Sequence, residues 1–335
     1  MSEFPSAAYP LGLLRIPGVG TRTVARVVRS YGDPDSLRAA SPAALEDTIG
    51  KRAAHAVGPY LVAGLDAELA TARDLVRLHE DSGIAVVGLT DPAYPPALRL
   101  TDDPPAALFV KGRLDCLGMI GVAVVGTREP TPIGVEMARR IAMRFATAGF
   151  CVVSGLALGI DAAAHEGALR SGTTLAVLGT PPDEIYPREH VELARRIEAS
   201  GALVSEYPIG TRVGREAFVQ RDRIQAGIAT AIVPVQTGVQ GGTMHTIAAA
   251  ERAQRLLLCP VPDQRDSDSR QSQGIRLLIE SGRGIAFDGS DYERLIEMIG
   301  EAAARTARPA APSGEREQQL LLSDAEATAR PRPSH

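Results

Sequence analysis

From Ile120 onward the sequence alternates between short apolar runs and longer segments with helical spacing. The apolar runs are predicted strands: Ile120–Val125, Phe150–Val153, Thr174–Leu178, Ala202–Ser205, Thr230–Val235 and Arg255–Cys259. Helices are predicted at about residues 133–148, 160–171, 189–200, 222–228 and 243–253. Apolar strands that alternate with helices are typical of a parallel sheet covered on both faces. We therefore predict an α/β fold, an extended Rossmann-like domain with a mostly parallel sheet, whose ligands bind at the carboxyl ends of the strands.

Segments on either side complete the predicted organisation. Residues 83–112 carry two more extended runs, Ile84–Val87 and Ala107–Val110, separated by Pro-rich turns, and these are expected to add edge strands. A helix at about residues 290–303 closes a domain that is predicted to span residues 83–303. Residues 304–335 are rich in Ala, Pro, Arg, Ser and Glu and are expected to be a disordered tail. Within this tail, Gln318–Leu322 resembles a short partner-binding peptide, although chance is the favoured explanation.

Residues 1–80 are predicted to form a small all-helical domain that ends in a helix at about Leu65–Asp81. Its most specific feature is the run Ile-Pro-Gly-Val-Gly-Thr at residues 16–21, which is typical of the turn in a helix-hairpin-helix motif. Gly18 and Gly20 permit a tight turn whose N–H groups can face a phosphate. Such hairpins also serve in protein–protein contacts, so contact of this hairpin with duplex DNA is one of two alternatives.

Composition limits the kinds of partner. The formal net charge of −4 excludes binding of nucleic acid through overall charge, so any such binding needs a local patch. Only two of the 36 basic residues are lysines, and the planar arginine fork is well suited to phosphate. The three cysteines lack paired or metal-ligand spacing, and Cys151 and Cys259 are expected in the core. No signal peptide or apolar run of about 20 residues is present, so a cytoplasmic protein without a metal is predicted.

Glycine-containing loops follow three of the predicted strands. The first loop carries Gly126 and Arg128, and the second carries Ser154, Gly155 and Gly159. The fifth strand leads to Gly241, Gly242 and Thr243 before a helix. Small residues at helix starts expose backbone N–H groups to an anion. An arginine-rich stretch precedes the fifth strand, at Arg212, Arg215, Arg221 and Arg223. Together, these loops and arginines predict a phosphate-binding face at one edge of the sheet.

A catalytic set is less clear. Asp161 and His165 are four residues apart on a predicted helix, and a relay with Ser154 is conceivable. The surrounding sequence lacks the G-x-S-x-G nucleophile elbow, so Asp161 is expected to brace the loop and His165 to be packed and hydrogen-bonded. The first loop also lacks the G-x-G-x-x-G fingerprint of dinucleotide-binding proteins. We therefore predict a binding protein without a cofactor rather than an enzyme.

These segments together resemble the DNA-processing protein A family (DprA, also called Smf) over about residues 10 to 290. The matching pieces include Gly126-Thr-Arg128, the run Val153–Asp161 with Ala164-His165, Tyr186-Pro187, Leu203–Glu206, Phe218 and Arg221-Asp-Arg223. The run from Val153 to Asp161 is the most specific of them.

The resemblance implies a homodimer that binds single-stranded DNA in a basic pocket and loads RecA onto it during natural transformation and recombination. It further implies that Arg128, Ser154, Gly155, Gly159 and Arg221 contact phosphates, and that Arg223 braces the pocket. The predicted DNA-binding set also includes Gly126, Gly241, Gly242 and Thr243.

Three departures from the family pattern affect these expectations. Asp222 stands where members usually have Asn, and its carboxylate can pair with a flanking arginine and reduce the positive potential. The run Val235–Thr246 is looser than the family's Glu-containing loop. Leu320–Glu326 looks like the start of the winged-helix domain that many members carry, and that domain is expected to be absent here.

Two other functions are alternatives to DNA binding. The Lonely Guy phosphoribohydrolases share this fold relationship and use a Gly-Gly-x-Gly-Thr-x-x-Glu loop. The corresponding run here, Gly241–Thr246, has no Glu where that chemistry needs one. A nucleotide-sensing module of the same fold is not distinguished from a strand binder by the sequence.

Overall fold

The structure is a computed structural model that describes residues 6–307. Its nine strands are β1 Ala85–Gly88, β2 Ala107–Gly112, β3 Gly121–Val125, β4 Cys151–Ser154, β5 Thr174–Val177, β6 Ala202–Ser205, β7 Ala229–Pro234, β8 Leu256–Pro260 and β9 Ile285–Phe287. Six helices precede the sheet: α1 Ala8–Leu14, α2 Thr21–Ser30, α3 Pro34–Arg38, α4 Pro42–Ile49, α5 Lys51–Val62 and α6 Leu65–Asp81. Eight more lie among or after the strands: α7 Pro96–Arg99, α8 Pro132–Thr147, α9 Ile160–Ala168, α10 Val191–Ser200, α11 Glu216–Ile228, α12 Thr243–Arg252, α13 Gln273–Glu280 and α14 Tyr292–Ala307.

The strands form one sheet in the order β1-β2-β6-β5-β4-β3-β7-β8-β9. The seven strands β3 to β9 are parallel to one another. At one edge, β2 pairs antiparallel with β6, and β1 pairs antiparallel with β2. This confirms the predicted α/β class and the added edge strands. The chain lays β3 to β6 in one direction and then returns to place β7 on the other side of β3. This reversal creates a switch point at the carboxyl ends of β3 and β7, where open α/β sheets bind ligands.

Helices cover both faces of the sheet because the central strands are apolar on both sides. One face packs against α7, α11, α12 and α13, with Ile224, Ile247 and Leu278 fully buried. The other packs against α8, α9 and α14, with Phe145 and Ile160 fully buried. Continuous apolar strands are expected wherever two layers of helix flank a parallel sheet. The three cysteines are free and buried, as expected for Cys151 and Cys259.

The amino-terminal helices form their own apolar cluster around Leu13, Val24 and Val57. The turn before α2 is tight because Gly18 adopts a φ of +84°, which side chains disfavour. The first residue of α2, Thr21, donates a hydrogen bond from its hydroxyl to the Asp103 carboxylate. Asp103 lies in the segment between α7 and β2, so the start of α2 is docked onto the α/β part of the molecule.

Several elements differ from their sequence-based expectations. Helix α11 begins at Glu216, six residues before the predicted start, because polar residues there lack an apolar stripe. Helix α13 and the short strand β9 were not predicted. Residues 304–307 continue α14, while the rest of the expected tail, with Gln318–Leu322 and Leu320–Glu326, lies outside the described residues. No helix within residues 6–307 is long and apolar enough to cross a membrane.

Candidate functional site

A cleft of about 420 Å³ opens at the switch point between β3 and β7. Its walls come from the loops after β3, β4 and β7 and from one face of α11. Residues of the predicted set on these walls are Gly126, Arg128, Arg221, Gly241, Gly242 and Thr243. The structure therefore brings together three separate loops and an arginine that the sequence placed at one sheet edge.

The loop after β4 is braced from below by Asp161. Its Oδ2 accepts a hydrogen bond of 3.1 Å from the N–H of Gly155. Burial raises the pKa of Asp161, while the nearby charge of Arg221 and the backbone N–H of Ala157 work in the opposite direction. The expected bracing role of Asp161 is thus observed, and the N–H of Gly155 is already occupied by a protein acceptor.

Arg221 lies directly over Gly155. A Cβ at Gly155 would stand 1.4 Å from Nη1 of Arg221, so only glycine leaves room for this guanidinium. Nη1 donates to the carbonyl of Val177 at 3.0 Å and to Oε1 of Gln225 at 3.3 Å. The side chain is buried, and its Nε has no hydrogen-bond partner within residues 6–307. Arg221 is a fixed cation at the back of the cleft.

Asp222 reduces the positive charge of the cleft. Its Oδ1 lies 3.4 Å from Nε of Arg221, which is close enough for an ion pair. Burial raises the pKa of Asp222 to about 6, against the opposing effect of the Arg221 charge. Glu129 and Asp161 also line the cleft, so its charge is mixed rather than uniformly basic. This corrects the expectation of a basic pocket and agrees with the pairing expected for Asp222.

Gln225 supplies a donor that the sequence did not single out. The side chain is almost fully buried in the cleft wall, one helical turn after Arg221. Its Oε1 accepts from Arg221, so its Nε2 group is left to donate, and it has no partner in the described chain. A buried donor without an acceptor costs free energy unless a ligand or water meets it. The sequence signal for Gln225 is its position four residues after Arg221, which places the two side chains on the same face of a helix.

The opposite wall is the start of α12. Gly241, Gly242 and Thr243 line the cleft there, together with His245 and Thr246. The first N–H groups of a helix have no partner inside the helix and carry partial positive charge. Here the N–H groups of Met244 and His245 already donate to the carbonyls of Gly241 and Gly242, so this wall contributes the partial positive charge of a helix start rather than a full set of free donors.

Arg128 stands at the mouth of the cleft. Its side chain forms no hydrogen bond or ion pair with any described residue. It also lines a small side pocket of about 50 Å³ with Tyr186 and Phe218. The rings of Tyr186 and Phe218 lie 5.3 Å apart, and Tyr186 is 54% exposed. A free cation thus stands beside an accessible aromatic surface.

Ser154 does not have the predicted contact. Its hydroxyl is fully buried and donates a 2.8 Å hydrogen bond to the carbonyl of Val124 on the neighbouring strand. The prediction that this hydroxyl donates to a phosphate is therefore corrected. Ser154 is the last residue of β4, and its side chain points into the sheet layer rather than toward the cleft.

Gly126 and Gly159 let neighbouring elements pack closely against their backbone. A Cβ at Gly126 would stand 2.5 Å from Cγ1 of Ile160, so this glycine lets α9 approach β3. Gly159 has a φ of +81°, and a Cβ there would stand 2.5 Å from the carbonyl oxygen of Thr127. Gly126 still lines the cleft, whereas Gly159 does not. Gly159 therefore shapes the loop from behind the cleft, which corrects its predicted place on the phosphate-binding wall.

The predicted arginine cluster separates in the structure. Arg223 points to the far side of α11, where Nη2 lies 2.5 Å from Oε2 of Glu206 and Nη1 donates to the carbonyl of Asp103 at 3.0 Å. Residues two apart on a helix differ by about 200° in direction, so Arg221 and Arg223 face opposite ways. Arg212 and Arg215 lie before α11 and do not line the cleft. The prediction that Arg223 belongs to the phosphate pocket is therefore corrected.

His165 is packed and hydrogen-bonded, as expected. Its Nδ1 lies 2.8 Å from the hydroxyl of Thr174, which itself donates to the carbonyl of Val152. Burial lowers the pKa of His165 to about 3. Since Asp161 is bonded to Gly155 instead, the two side chains do not form a relay. No cluster of His, Cys, Asp and Glu in the described chain is arranged to hold a metal ion.

Comparison with known proteins identifies the family. A family model described as DNA recombination-mediator protein A matches residues 85–298. The chain belongs to this family. The family predicted from the sequence motifs is thereby confirmed, and the matched range contains every residue that lines the cleft.

Relatives in the DNA recombination-mediator protein A family differ in how much of their length this chain covers. Protein Smf of Synechocystis is 31% identical over 333 residues, which is 95% of this chain and 77% of that protein. Protein Smf of Escherichia coli is 37% identical over 62% of this chain and 54% of that protein. A putative DNA processing protein DprA of Mycobacterium tuberculosis is 39% identical over 62% and 53%. The chain therefore spans about half the length of the latter two relatives.

Two solved structures of family members are similar to this one. DNA processing protein A from Streptococcus pneumoniae superposes with a TM-score of 0.68 at 27% identity, covering 85% of this chain and 96% of that chain. DNA processing protein A from Helicobacter pylori, whose structure is described by its single-stranded DNA binding mode, has a TM-score of 0.55 at 27% identity. That match covers 62% of this chain and 93% of the other.

Proposed function

We propose that this family member binds single-stranded DNA through its phosphates in the cleft between β3, β4 and β7. The observation that carries the proposal is the set of donors that lack protein acceptors in the described chain. Arg128 has no partner at the mouth, and Nε2 of Gln225 has none in the wall. Phosphate oxygens are the acceptors that such a set fits.

The aromatic pocket supports a strand rather than a duplex. Tyr186 and Phe218 stand next to Arg128, and Tyr186 is more than half exposed. A base can stack on an exposed ring only when it is not paired inside a duplex. The described binding mode of the Helicobacter pylori relative agrees with this preference. Sequence preference should be weak, because a ring stacks on any base.

The deciding experiment measures binding of labelled oligo-dT by fluorescence anisotropy across salt concentrations. Arg128→Ala removes a cation without breaking a protein contact, so the fold should be intact. We expect weaker binding. The slope of log affinity against log salt concentration (the salt slope) should be shallower by about 0.7, the value for a single phosphate contact on single-stranded DNA. The matched control is Arg170→Ala, an exposed arginine that lines neither pocket of the cleft. Equal affinity and slope for the two variants would reject the cleft as the binding site.

A second variant tests the position of Arg221 while its charge remains. Gly155→Ala places a methyl group where Nη1 of Arg221 lies, so the guanidinium must move. We expect a loss of oligo-dT affinity together with a lower melting temperature, because the displaced guanidinium gives up its buried hydrogen bonds to Val177 and Gln225. Gly58→Ala in α5, where a Cβ meets nothing within 4 Å, is the control. Unchanged affinity in Gly155→Ala would remove Arg221 from the site.

The wider role is proposed on the family's description as a recombination mediator. In this proposal the protein acts in the cytoplasm as a homodimer, holds the strand without cleaving it, and presents it to a RecA recombinase in natural transformation. Residues 1–80 and 83–303 are its two domains. The rate at which RecA assembles on oligo-dT, with the parent protein and with Arg128→Ala, tests the loading step. Sedimentation equilibrium tests the dimer.

A further inference from the structure

A second large groove lies at the opposite edge of the sheet from the cleft. It has a volume of about 660 Å³ and includes Thr230 and Leu256, the residues at the amino ends of β7 and β8. Five arginines line it, and we call it the arginine groove: Arg22, Arg223, Arg252, Arg255 and Arg305. They come from α2, α11, α12, the residue before β8 and α14, so only the tertiary structure brings them together.

Most of these arginines are not neutralised by carboxylates. Arg22 and Arg252 are exposed and form no hydrogen bond or ion pair with residues 6–307. Among the described residues, Arg255 donates only to backbone carbonyls, those of Ala97, Ala226 and Gly227. Arg305 lies 3.8 Å from Glu301, but both side chains are mostly exposed, and such pairs contribute little. Four positive charges therefore face the groove with weak opposition.

The acidic residues of the groove compensate only part of this charge. Asp103 is occupied, since it accepts from Thr21 and its Oδ2 lies 3.7 Å from Nε of Arg223. Asp102 is exposed and is the other carboxylate on the described lining. The groove thus retains positive charge in a protein whose formal net charge is −4. A concave surface with local charge opposite to that of the whole protein favours a polyanion.

Helix α12 connects the arginine groove to the cleft. Its first turns, with His245 and Thr246, line the cleft, and its last turn, with Arg252, lines the groove. His245 and Arg252 are seven residues apart and lie on the same face, with small alanines between them. A ten-residue helix is about 15 Å long, which stacked nucleotides at about 3.4 Å each span in four to five steps.

We propose that the arginine groove is a second phosphate-binding site for the same strand that occupies the cleft, and that the strand reaches it along α12. The inference rests on the proposed function, because the cleft holds the other part of the strand. Arg22 and Arg252 supply the free cations at this second site. Strands too short to span α12 use the cleft alone, and longer strands use both sites.

The test compares binding of a short oligo-dT of about four nucleotides with that of a long one of about twenty, in the full chain. The double variant Arg22→Ala/Arg252→Ala should bind the short strand like the parent and the long strand more weakly. For the long strand, the salt slope should become shallower by about 1.4, as expected for two phosphate contacts. Arg170→Ala is again the control, and thermal melting verifies that the double variant is folded.

The outcomes separate the two proposals. Loss of short-strand binding in Arg128→Ala concerns the cleft alone, and failure of the parent to bind either strand rejects the proposed function. If the double variant matches Arg170→Ala on both strands, the groove has another occupant, such as an acidic protein segment, and the inference is overturned. Equal losses on the short and long strands would also overturn it, because the arginines would then act on the cleft.

Discussion

At the scale of single residues, the cleft combines a buried cation with carboxylates that limit its charge. Arg221 is held by Val177 and Gln225, and Asp222 lies 3.4 Å from its Nε. Asp161 adds a second carboxylate beneath the loop. Since Arg128 at the mouth has no partner among residues 6–307 and Arg221 at the back is paired, the charge of Asp222 should control how strongly the cleft attracts phosphate.

Asp222→Asn should therefore bind oligo-dT more tightly than the parent at about pH 7.5. Burial raises the pKa of Asp222 from 3.8 to about 6, so the parent loses this negative charge as the pH falls through that value. The affinity of the parent for oligo-dT should rise as the pH falls from about 7.5 to about 5, and the affinity of Asp222→Asn should rise less. Anisotropy titrations across this range measure the difference between the two proteins.

Asp47→Asn is the control for this prediction, because Asp47 is an exposed carboxylate in α4 with the same formal charge change. If Asp222→Asn and Asp47→Asn have the same pH profile, the carboxylate of Asp222 does not act on the cleft.

Stability supplies a second measurement. The folded state takes up the Asp222 proton at a higher pH than the unfolded chain, so stability should fall as the pH rises through about 4 to 6, and Asp222→Asn should remove this loss.

At the scale of elements, the segment between α7 and β2 joins the helical hairpin to the α/β part. Asp103 accepts from Thr21 at the start of α2, and Arg223 of α11 donates to the carbonyl of Asp103. The side chain of Arg29, near the end of α2, donates to the carbonyls of Arg99 and Thr101. The start and the end of α2 are thus held against the α/β part of the same chain.

Asp103→Ala should lower the free energy of unfolding by about 1 to 2 kcal/mol. The substitution removes the acceptor for Thr21 and the carboxylate near Arg223, while Arg223 keeps its pair with Glu206. Urea unfolding followed by circular dichroism measures the change. Asp102→Ala is the matched control, since this neighbouring carboxylate has no partner in the described chain. Equal stability of the two variants would show that the Asp103 contacts do not hold the hairpin in place.

At the scale of the whole molecule, the helical part and the sheet share buried contacts. Ala25 of α2 belongs to the same apolar cluster as Leu89, Tyr94 and Leu98. His79 of α6 lies against the ring of Phe109 at 4.5 Å, and its Nε2 accepts from the N–H of Ile209. Contacts of this kind tie the six amino-terminal helices to the edge strands.

We therefore expect the described chain to unfold in one cooperative transition rather than in two. Cooperative units follow shared buried contacts, so the loss of the sheet should release α2 and α6 together. Pulse-labelling hydrogen exchange with mass spectrometry, at increasing urea, reports peptides from α2, α6 and the sheet separately. A lower midpoint for the α2 and α6 peptides would contradict this expectation. Tyr94, which is buried between the two parts, offers an internal reference peptide.

The amino-acid sequence by itself determined the class of fold and the edge of the sheet at which the cleft opens. Alternating apolar runs and helical segments suffice for that, because period and length distinguish covered strands from helices. The run Val153–Asp161 and the glycines at 241 and 242 also located the loops correctly. Local sequence contains this information because strand ends and helix starts depend on nearby residues.

Only the tertiary structure decided where individual side chains point and what they meet. The hydroxyl of Ser154 turns to Val124, and Arg223 turns to Glu206. Nε2 of Gln225 is left without an acceptor among residues 6–307. The arginine groove joins residues from Arg22 to Arg305, which no local pattern relates. The physical reason is that a side chain's role depends on the acceptors and charges around it, and in a parallel α/β fold these come from distant strands and helices.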